Sequence, residues 1–267
     1  MNAQGKVVVV TGAASGIGKA LAARFAHEKP AGLVISDLPQ AQTTLDAQAS
    51  ALSAAGVPTL AVTADVGIEA NVQALVRQAE ERFGRVDVFC SNAGLIRDGD
   101  ENTPDAHWQL NWQVHVMAHV YAARAVVPGM RARGEGYLVN TASAAGMLTS
   151  LPSATYAVTK HACIALAEWL SIQQGEAGVR VSVVCPQAVD TPMIAGRAGS
   201  AAARNDGVIS PEDLAEVVIQ GMAEEKFLIL PHPQVLEYYQ RKANDYDRWL
   251  GGMRRFAAKV GGRPESK

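Results

Sequence analysis

The 267-residue chain is poor in cysteine and has no excess of charge of one sign. Its three cysteines, Cys90, Cys163 and Cys185, lie far apart in apolar stretches without Cys-x-x-Cys spacing, which argues against a secreted disulfide framework. The 24 Lys and Arg residues against 26 Asp and Glu residues leave a formal net charge of -2, so no positive field would gather nucleic acid or anionic lipid. We therefore expect buried thiols in a reducing compartment and a small-molecule partner, with no nucleic acid and no membrane.

Long hydrophobic runs are also missing from the start of the chain. The apolar run at residues 7–10 is too short for the core of a signal peptide or for a membrane span. No fixed-period repeat divides the chain, and neither does a linker rich in Pro, Gly or Ser. These absences predict a cytoplasmic protein in which residues 1–267 form one domain.

Seven short, β-branched runs alternate with longer helical patterns along the chain. The runs are nearly continuous in apolar residues, as expected for strands that helices cover on both faces. With right-handed crossovers, this alternation predicts an α/β fold, a doubly wound Rossmann-type domain with a seven-stranded parallel sheet in the order 3-2-1-4-5-6-7. The predicted strands are residues 6–10, 33–36, 59–62, 86–90, 137–140, 179–184 and 227–230.

Two segments fall outside this alternation. Residues 190–210 are rich in small side chains and follow the sixth strand, at the edge where ligands bind in such sheets, which predicts a substrate lid. Residues 231–260 carry apolar side chains spaced among charges, which is typical of amphipathic helices. We expect this C-terminal extension to pack on the lid or on a neighbouring subunit.

A glycine-rich turn joins the first predicted strand to the first predicted helix and reads TGAASGIG from Thr11 to Gly18. Gly12 permits a tight turn, Gly16 lets backbone N–H groups approach a pyrophosphate, and Gly18 permits close packing of the helix. The N-terminus of the helix adds partial positive charge. Because a strand precedes the turn and a helix follows it, a dinucleotide site is a stronger interpretation than a chance turn.

An acidic residue stands at the spacing that such a site requires. Asp37 ends the second predicted strand, 19 positions after Gly18, where a carboxylate accepts hydrogen bonds from ribose hydroxyls and repels a 2′-phosphate. No Arg or Lys flanks Asp37 to reverse that preference. The spacing therefore predicts NAD as the cofactor, with NADP less favoured, and a helix-capping role for Asp37 is the alternative.

Tyr156 and Lys160 lie four positions apart on a helix predicted at residues 152–174, so both side chains share one face. A phenol is a weak base at neutral pH, and a neighbouring ammonium that favours the phenolate makes it a better one. Tyr156 would then exchange a proton with a substrate hydroxyl while hydride passes to or from the cofactor. Ser143, which follows the fifth strand, would hold the substrate oxygen, and capping of its own loop is the alternative.

These motifs occur together in the order and spacing of one family. The glycine turn, residues 92–94, Ser143 and the pair Tyr156 and Lys160 resemble the short-chain dehydrogenases/reductases over about residues 5–230. The resemblance implies that Lys160 also holds the nicotinamide ribose, and that Gln187 stands where the family commonly has glycine. It further implies a homodimer or homotetramer packed through the helices near residues 106–132 and 152–176.

The resemblance also assigns residues along the whole cofactor. The adenine would lie against residues 65–66, the body of the cofactor against residues 92–94, and the carboxamide end against residues 186–191. The complete predicted cofactor-binding set is Gly12, Ser15, Gly16, Ile17, Gly18, Asp37, Leu38, Asp65, Val66, Asn92, Ala93, Gly94, Tyr156, Lys160, Pro186, Val189 and Thr191.

One position departs from the family pattern. His115 stands where the family usually has an Asn inside a helix, a residue that supports a helix irregularity and a proton relay near the lysine. Imidazole also donates and accepts hydrogen bonds, so we include His115 in the catalytic set, either preserving that relay or titrating within it. Asn111, one turn earlier, is the alternative. The spacing of His115 and His119 lacks the third ligand of a metal site, and we predict no metal.

Apolar residues flank the expected substrate position, without a cluster of Arg or Lys to bind a carboxylate or phosphate. The sequence thus predicts an NAD-dependent oxidoreductase acting on the CH–OH group of a hydrophobic secondary alcohol, or in reverse on the matching ketone. The alternatives are an NADPH-dependent ketoacyl-type reductase and a cofactor-binding protein with little turnover. The flanking apolar residues, for which packing under the lid is the alternative role, are Met147, Leu148, Leu151, Met193 and Ile194.

Overall fold

Seven parallel strands form one sheet in the order β3-β2-β1-β4-β5-β6-β7, so the predicted fold class and strand order are confirmed. The computed structural model describes residues 1–195, 204 and 206–260. The part of the predicted lid at residues 196–203 and 205 lies outside the described residues. The strands are β1 Val7–Thr11, β2 Gly32–Asp37, β3 Thr59–Thr63, β4 Val88–Ser91, β5 Gly136–Thr141, β6 Val179–Val184 and β7 Leu228–Ile229.

Helices connect successive strands and cover both faces of the sheet. A π-helical segment, Gln113–Met117, joins the fourth helix to the fifth. Within the described residues, none of the helices is long and apolar enough to cross a lipid bilayer. The helices are α1 Gly16–His27, α2 Gln42–Ala54, α3 Glu69–Phe83, α4 Asp105–Trp112, α5 Ala118–Arg133, α6 Ala154–Gln174, α7 Pro211–Ala223, α8 Gln234–Asn244 and α9 Tyr246–Val260.

Apolar side chains form one core layer on each face of the sheet. One layer contains Leu21 of α1 and Leu214 of α7, and the other contains Leu75 of α3, Met130 of α5 and Leu170 of α6. All residues of β1 and β5 are buried, because helices lie on both sides of these central strands. This two-sided burial explains why the strand runs are continuous in apolar residues rather than alternating.

The parallel pairing brings the carboxyl ends of the central strands to one edge of the sheet. Thr11 at the end of β1 pairs with Ser36 of β2, and Thr141 at the end of β5 pairs with Val184 of β6. In open parallel sheets this edge is where ligands bind. Most of the predicted catalytic and cofactor-binding residues lie on the loops that leave the strands at this edge, whereas His115, Tyr156 and Lys160 lie in helical segments.

Candidate active site

The glycine turn lies between β1 and α1. Gly12 and Gly16 have φ values of 69° and 50°, a region that other residues rarely adopt. A side chain at Gly18 would place its Cβ 2.1 Å from the carbonyl oxygen of Gly12, so the turn closes only around a glycine there. The first turn of α1 has no acidic residue, and its N-cap Ser15 makes no side-chain capping bond. The first N–H groups of α1 therefore remain for an anion, as the chemistry of a pyrophosphate requires.

Asp37 ends β2 beside this turn, with its carboxylate fixed by two backbone amides. One carboxylate oxygen accepts a hydrogen bond from the N–H of Ala14 at 2.9 Å, and the other accepts from the N–H of Leu38 at 2.8 Å. The short 3₁₀ turn that follows begins after Leu38, so Asp37 is not its N-cap residue. The carboxylate is thus held at the edge of the sheet with acceptor capacity left for hydroxyl groups.

A cleft of about 310 Å³ runs along the carboxyl edge of the sheet, and we call it the glycine-turn cleft. All 17 residues of the predicted cofactor-binding set line it, together with Ser143 and His115. Its lining also includes residues that were not predicted from the sequence. Each of these lies within two positions of a predicted site residue in the sequence, and this closeness is the signal that could have identified it. They are Leu95, Val114, Thr141, Ala142 and Pro192.

The side chain of Asn92 ties the ends of three strands together. Its amide donates to the carbonyl oxygen of Thr11 at 3.1 Å, and its amide oxygen accepts from the hydroxyl of Thr141 at 3.1 Å. The backbone N–H of Asn92 bonds the hydroxyl of Thr11 at 3.0 Å. Asn92 therefore holds β1, β4 and β5 in position at the floor of the glycine-turn cleft.

Tyr156 lies in the first turn of α6, and the start of that helix is fixed by a cap. The hydroxyl oxygen of Ser153 accepts from the N–H of Tyr156 at 3.2 Å, and the same hydroxyl donates to the carbonyl of Arg97 at 2.6 Å. This arrangement is a standard N-cap, because it satisfies an orphan N–H of the first turn. The cap anchors α6 to the loop that follows β4.

Lys160 lies one turn after Tyr156 on the same face of α6. Its Nζ atom lies 5.6 Å from the centre of the Tyr156 ring and donates to the carbonyl oxygen of Thr141 at 2.8 Å. Lys160 is only 3% exposed, and no carboxylate of the described residues forms a salt bridge with it. The Lys160 side chain is therefore buried beside the Tyr156 ring.

Ser143 is the N-cap of a 3₁₀ turn, Ala144–Gly146, so the capping alternative describes part of its environment. Its hydroxyl oxygen accepts from the N–H of Ala145 at 3.1 Å, and the hydroxyl donates to the carbonyl of Pro186 at 3.4 Å. A Cβ atom at Gly146 would lie 2.4 Å from the carbonyl oxygen of Lys160, so the turn packs directly on α6. This contact brings the Ser143 loop beside the helix that carries Tyr156.

His115 lies in the π-helical segment, is fully buried, and has both ring nitrogens bonded. Its Nε2 atom lies 3.2 Å from the N–H of Leu95, so Nε2 is the acceptor and Nδ1 carries the proton. Nδ1 then donates to the hydroxyl oxygen of Thr159 at 2.9 Å, and that hydroxyl donates to the carbonyl of Thr155 at 2.7 Å. Burial, reinforced by the charge of Lys160, lowers the pKa of His115 well below its ordinary value. The ring is therefore neutral at neutral pH, which disfavours a titrating role.

The ring of His115 also contacts the Tyr156 ring edge to face, with centroids 5.4 Å apart and an interplanar angle of 89°. Asn111, the alternative to His115, donates from its amide to the carbonyl of His107 at 2.8 Å, inside its own helix. His115, and not Asn111, is thus the residue of this pair that lines the glycine-turn cleft beside Tyr156.

His119 lies behind the site in a separate buried cluster. Its Nδ1 atom lies 3.0 Å from the amide oxygen of Asn140, and its Nε2 atom lies 3.7 Å from Sγ of Cys163. Burial lowers the pKa of His119 to about 4. In the described part of the chain, no three His, Cys, Asp or Glu side chains group as metal ligands. His115 and His119 therefore bond to different polar partners despite their helical spacing.

A second cavity, of about 410 Å³ and with mostly apolar lining, opens next to the glycine-turn cleft, and we call it the apolar cavity. Four of the five apolar residues expected at the substrate position line it, whereas Met147 is buried in the core behind it. The lining also contains Arg241, which forms a salt bridge with Glu237. The two spaces meet at shared residues, which are Ser143, Tyr156, Gln187, Met193 and Ile194.

The far wall of the apolar cavity comes from the C-terminal helices. Their amphipathic pattern is visible in the sequence, but nothing in that pattern indicates which surface they cover. They lie against the Ser143 loop, where Lys242 of α8 bonds the carbonyl oxygens of Met147 and Leu148. The residues that they contribute are Tyr238, Arg241, Trp249, Met253 and Phe256.

A Rossmann-type sheet with this Ser, Tyr and Lys arrangement at its carboxyl edge defines a class of oxidoreductase. A family model described as short chain dehydrogenase matches residues 6–200, and the chain belongs to this family. Among its relatives is the 1-deoxy-11-beta-hydroxypentalenate dehydrogenase of Streptomyces exfoliatus, 39% identical over 233 residues, which are 86% of this chain and 84% of that protein. The oxidoreductase UcpA of Escherichia coli K12 is 34% identical over 193 residues, 71% of each chain.

Solved structures agree with this assignment. A short-chain dehydrogenase/reductase from Burkholderia phymatum, crystallised with NAD, superposes with a TM-score of 0.84 at 31% identity, covering 92% of this chain and 96% of that one. The structure of levodione reductase superposes with a TM-score of 0.77 at 26% identity, covering 85% and 96% of the two chains.

Proposed function

We propose that the protein is an NAD-dependent dehydrogenase that oxidises a bulky, mainly apolar secondary alcohol to its ketone, or catalyses the reverse reduction. One observation carries this proposal: Tyr156 and Ser143 lie where the glycine-turn cleft and the apolar cavity meet. A substrate in the cavity and a cofactor in the cleft would therefore come together at the phenol of Tyr156.

The residues of the glycine-turn cleft fit a dinucleotide. The first N–H groups of α1 would bind the pyrophosphate, and Asp37 would accept hydrogen bonds from the adenosine ribose. Among the described lining residues Lys160 is the only cation, and it lies at the catalytic end. A 2′-phosphate near Asp37 would thus meet a carboxylate without a compensating charge, which favours NAD over NADP. The Burkholderia phymatum relative was crystallised with NAD, in agreement with this choice.

The catalytic steps follow from the chain's own residues. When bound, the nicotinamide supplies the hydride acceptor for oxidation and the hydride donor for reduction. In oxidation, the phenolic oxygen of Tyr156 takes the hydroxyl proton of the substrate, and in reduction the phenol returns that proton. The ammonium of Lys160 stabilises the phenolate electrostatically. The hydroxyl of Ser143, which donates to the carbonyl of Pro186 in the structure, would turn to donate to the substrate oxygen.

His115 has a positioning role in this scheme. Its neutral ring links the loop after β4, through Leu95, to α6, through Thr159. Both elements flank Tyr156, so the ring fixes the phenol relative to the cleft. We therefore place His115 in the site as a neutral hydrogen-bonding group rather than as a proton carrier.

The substrate class follows from the apolar cavity and agrees with the relatives' names. The volume of about 410 Å³ and the apolar lining suit a bulky hydrocarbon skeleton. The Streptomyces relatives are named for a hydroxylated substrate, and levodione reductase for a ketone.

The location and the assembly of the protein are proposed from other features. The buried free thiols of all three cysteines suit a cytoplasmic location. The exposed Trp169 and Ile172 on α6 suit a homodimer or homotetramer.

Replacing Tyr156 by Phe tests the proposal most directly. The variant loses the proton-transfer group, so we expect kcat to fall by about 1,000-fold, within the range for general acid–base catalysis, while NADH binding changes little. Turnover is measured with NAD and NADH on a panel of cyclic secondary alcohols and ketones. Tyr239→Phe, the same change at an exposed residue of α8, is the control and should retain activity. Cofactor binding without Tyr156-dependent turnover of any panel member would contradict an enzymatic function.

A further inference from the structure

The wall of the apolar cavity formed by α8 and α9 lies beyond the part of the chain that the family model matches. The family model ends at residue 200, whereas α8 and α9 span residues 234–260. None of the described residues of these two helices lines the glycine-turn cleft, but five line the apolar cavity. The position of this helix pair therefore affects the substrate side and leaves the cofactor side unchanged.

Lys242 of α8 connects the helix pair to the rest of the molecule. It is 6% exposed, and its Nζ atom donates to the carbonyl oxygens of Met147 at 2.8 Å and Leu148 at 2.9 Å. The ammonium also lies 5.5 Å from the ring centre of Tyr246 and 5.0 Å from that of Trp249. No carboxylate in the described ranges forms a salt bridge with Lys242. Two carbonyl dipoles and two aromatic faces therefore stabilise this buried charge in place of water.

Two of the four residues that Lys242 contacts, Leu148 and Trp249, line the apolar cavity. Met147 and Leu148 directly follow the 3₁₀ turn that Ser143 caps, and Leu148 itself lines the cavity. Trp249, one of the two rings against the ammonium, lines the opposite wall. A single side chain thus links the Ser143 loop to both C-terminal helices.

We propose that Lys242 is a positioning residue that fixes α8 and α9 against the Ser143 loop and thereby sets the shape of the apolar cavity for bulky substrates. The proposal rests on the function proposed above, because it concerns substrate binding at the same site. A buried ammonium suits this role, since its loss leaves two carbonyls unpaired and removes the charge on which both rings pack.

Lys242→Met tests the role, because methionine keeps much of the side-chain volume but has neither the charge nor the donors. We expect KM for a bulky alcohol of the panel to rise about tenfold, the effect of losing a hydrogen bond to a charged group, with a smaller change in kcat. The KM of a small alcohol such as 2-propanol should change little, because it does not reach the helix pair. Lys242→Arg, which keeps the charge and the hydrogen-bond donors, should raise the KM for the bulky alcohol much less than Lys242→Met does.

The control is Lys259→Met, the same substitution at an exposed residue of α9, which should leave both KM values unchanged. Folding is checked by NADH binding, since the glycine-turn cleft contains no described residue of α8 or α9. Hydrogen–deuterium exchange gives a readout independent of turnover: peptides covering residues 144–150 and 234–258 should exchange faster in Lys242→Met than in Lys259→Met.

The outcomes separate the two proposals. Absence of Tyr156-dependent turnover in the unmodified protein would contradict the proposed function, whatever the exchange data show. Normal turnover together with equal rises of KM for bulky and small alcohols, or with unchanged exchange in both peptide groups, would overturn the role of Lys242. A rise confined to bulky substrates with faster exchange supports it.

Discussion

The glycine-turn cleft and the apolar cavity share Tyr156 and Ser143, but they are built in different ways. The cleft is formed mainly by residues at the ends of neighbouring strands, four of them glycines, together with Tyr156 and Lys160 of α6. The cavity is formed by side chains from the Ser143 loop and from two helices about a hundred positions later in the chain. Residues close to the strand ends therefore define the cleft, and packing between distant segments defines the cavity.

This difference indicates how each region should respond to change. Glycine positions in the cleft permit no side chain where backbone atoms touch, so the cleft should be intolerant of single substitutions. The cavity wall is held by side-chain contacts that vary without loss of the sheet, so specificity should be adjustable there while cofactor binding remains. The Lys242 variants test the tolerance expected of the cavity wall, and Gly18→Ala and Asp37→Asn test the intolerance expected of the cleft.

The largest effect is expected from Gly18→Ala. Its Cβ would lie 2.1 Å from the carbonyl oxygen of Gly12, which is backbone and cannot move without opening the turn. We expect a loss of about 3 kcal/mol in the free energy of unfolding, at the upper end for overpacking, and NADH binding too weak to measure by titration. Gly175→Ala is the matched control, because nothing lies within 4 Å of the added Cβ. Retention of normal NADH affinity by Gly18→Ala would show that the turn does not need a glycine at this position.

An intermediate effect on the free energy of unfolding is expected from lowering the pH, because His119 lies in a buried cluster with Asn140 and Cys163. Burial lowers the pKa of His119 to about 4 in the folded protein, below the ordinary value of 6.5. Between these values the unfolded chain binds more protons than the folded one, so stability falls as pH decreases through this window. We expect His119 to account for a loss of about 2 kcal/mol between pH 7 and pH 5.

Urea unfolding at pH 7 and pH 5 measures this loss. His119→Gln should lose less stability on acidification than the unmodified protein, because its side chain does not titrate. His27→Gln, at an exposed position of α1, is the control and should retain the full acid sensitivity. Equal acid sensitivity of His119→Gln and the unmodified protein would show that the cluster does not titrate on unfolding.

The smallest effect is expected from Asp37→Asn, which changes a side chain of the cleft rather than a glycine. Asparagine keeps one oxygen to accept from the N–H of Ala14 but loses the charge and the second acceptor. We expect NADH to bind about tenfold more weakly and the preference over NADPH to narrow, because repulsion of a 2′-phosphate is removed. Dissociation constants for both cofactors measure the change, with Asp46→Asn on α2 as control. An unchanged ratio of the two constants would contradict cofactor selection by Asp37.

Much of the cleft was predictable because its determinants are local. The strand, glycine turn and helix follow from short patterns around Gly12 and Gly18, and the four-residue spacing of Tyr156 and Lys160 puts both side chains on one helix face. The state of His115 was not predictable: the sequence left relay and titration open. Its neutral form depends on the burial and on bonds to Leu95 and Thr159, which belong to other elements.

The sequence by itself determined the alternation of strands and helices, the glycine turn and the spacing of Tyr156 and Lys160, because these patterns act over a few residues. The strand order followed from the connection rules of parallel sheets. The tertiary structure alone decided which surface α8 and α9 cover, and that Met147 lies in the core while Leu148 lines the cavity. It also decided that Lys242 bonds Met147 and Leu148, which precede it by 95 and 94 positions in the chain. Such contacts depend on how complete elements pack, and the free energy of packing is shared among side chains that no local pattern brings together.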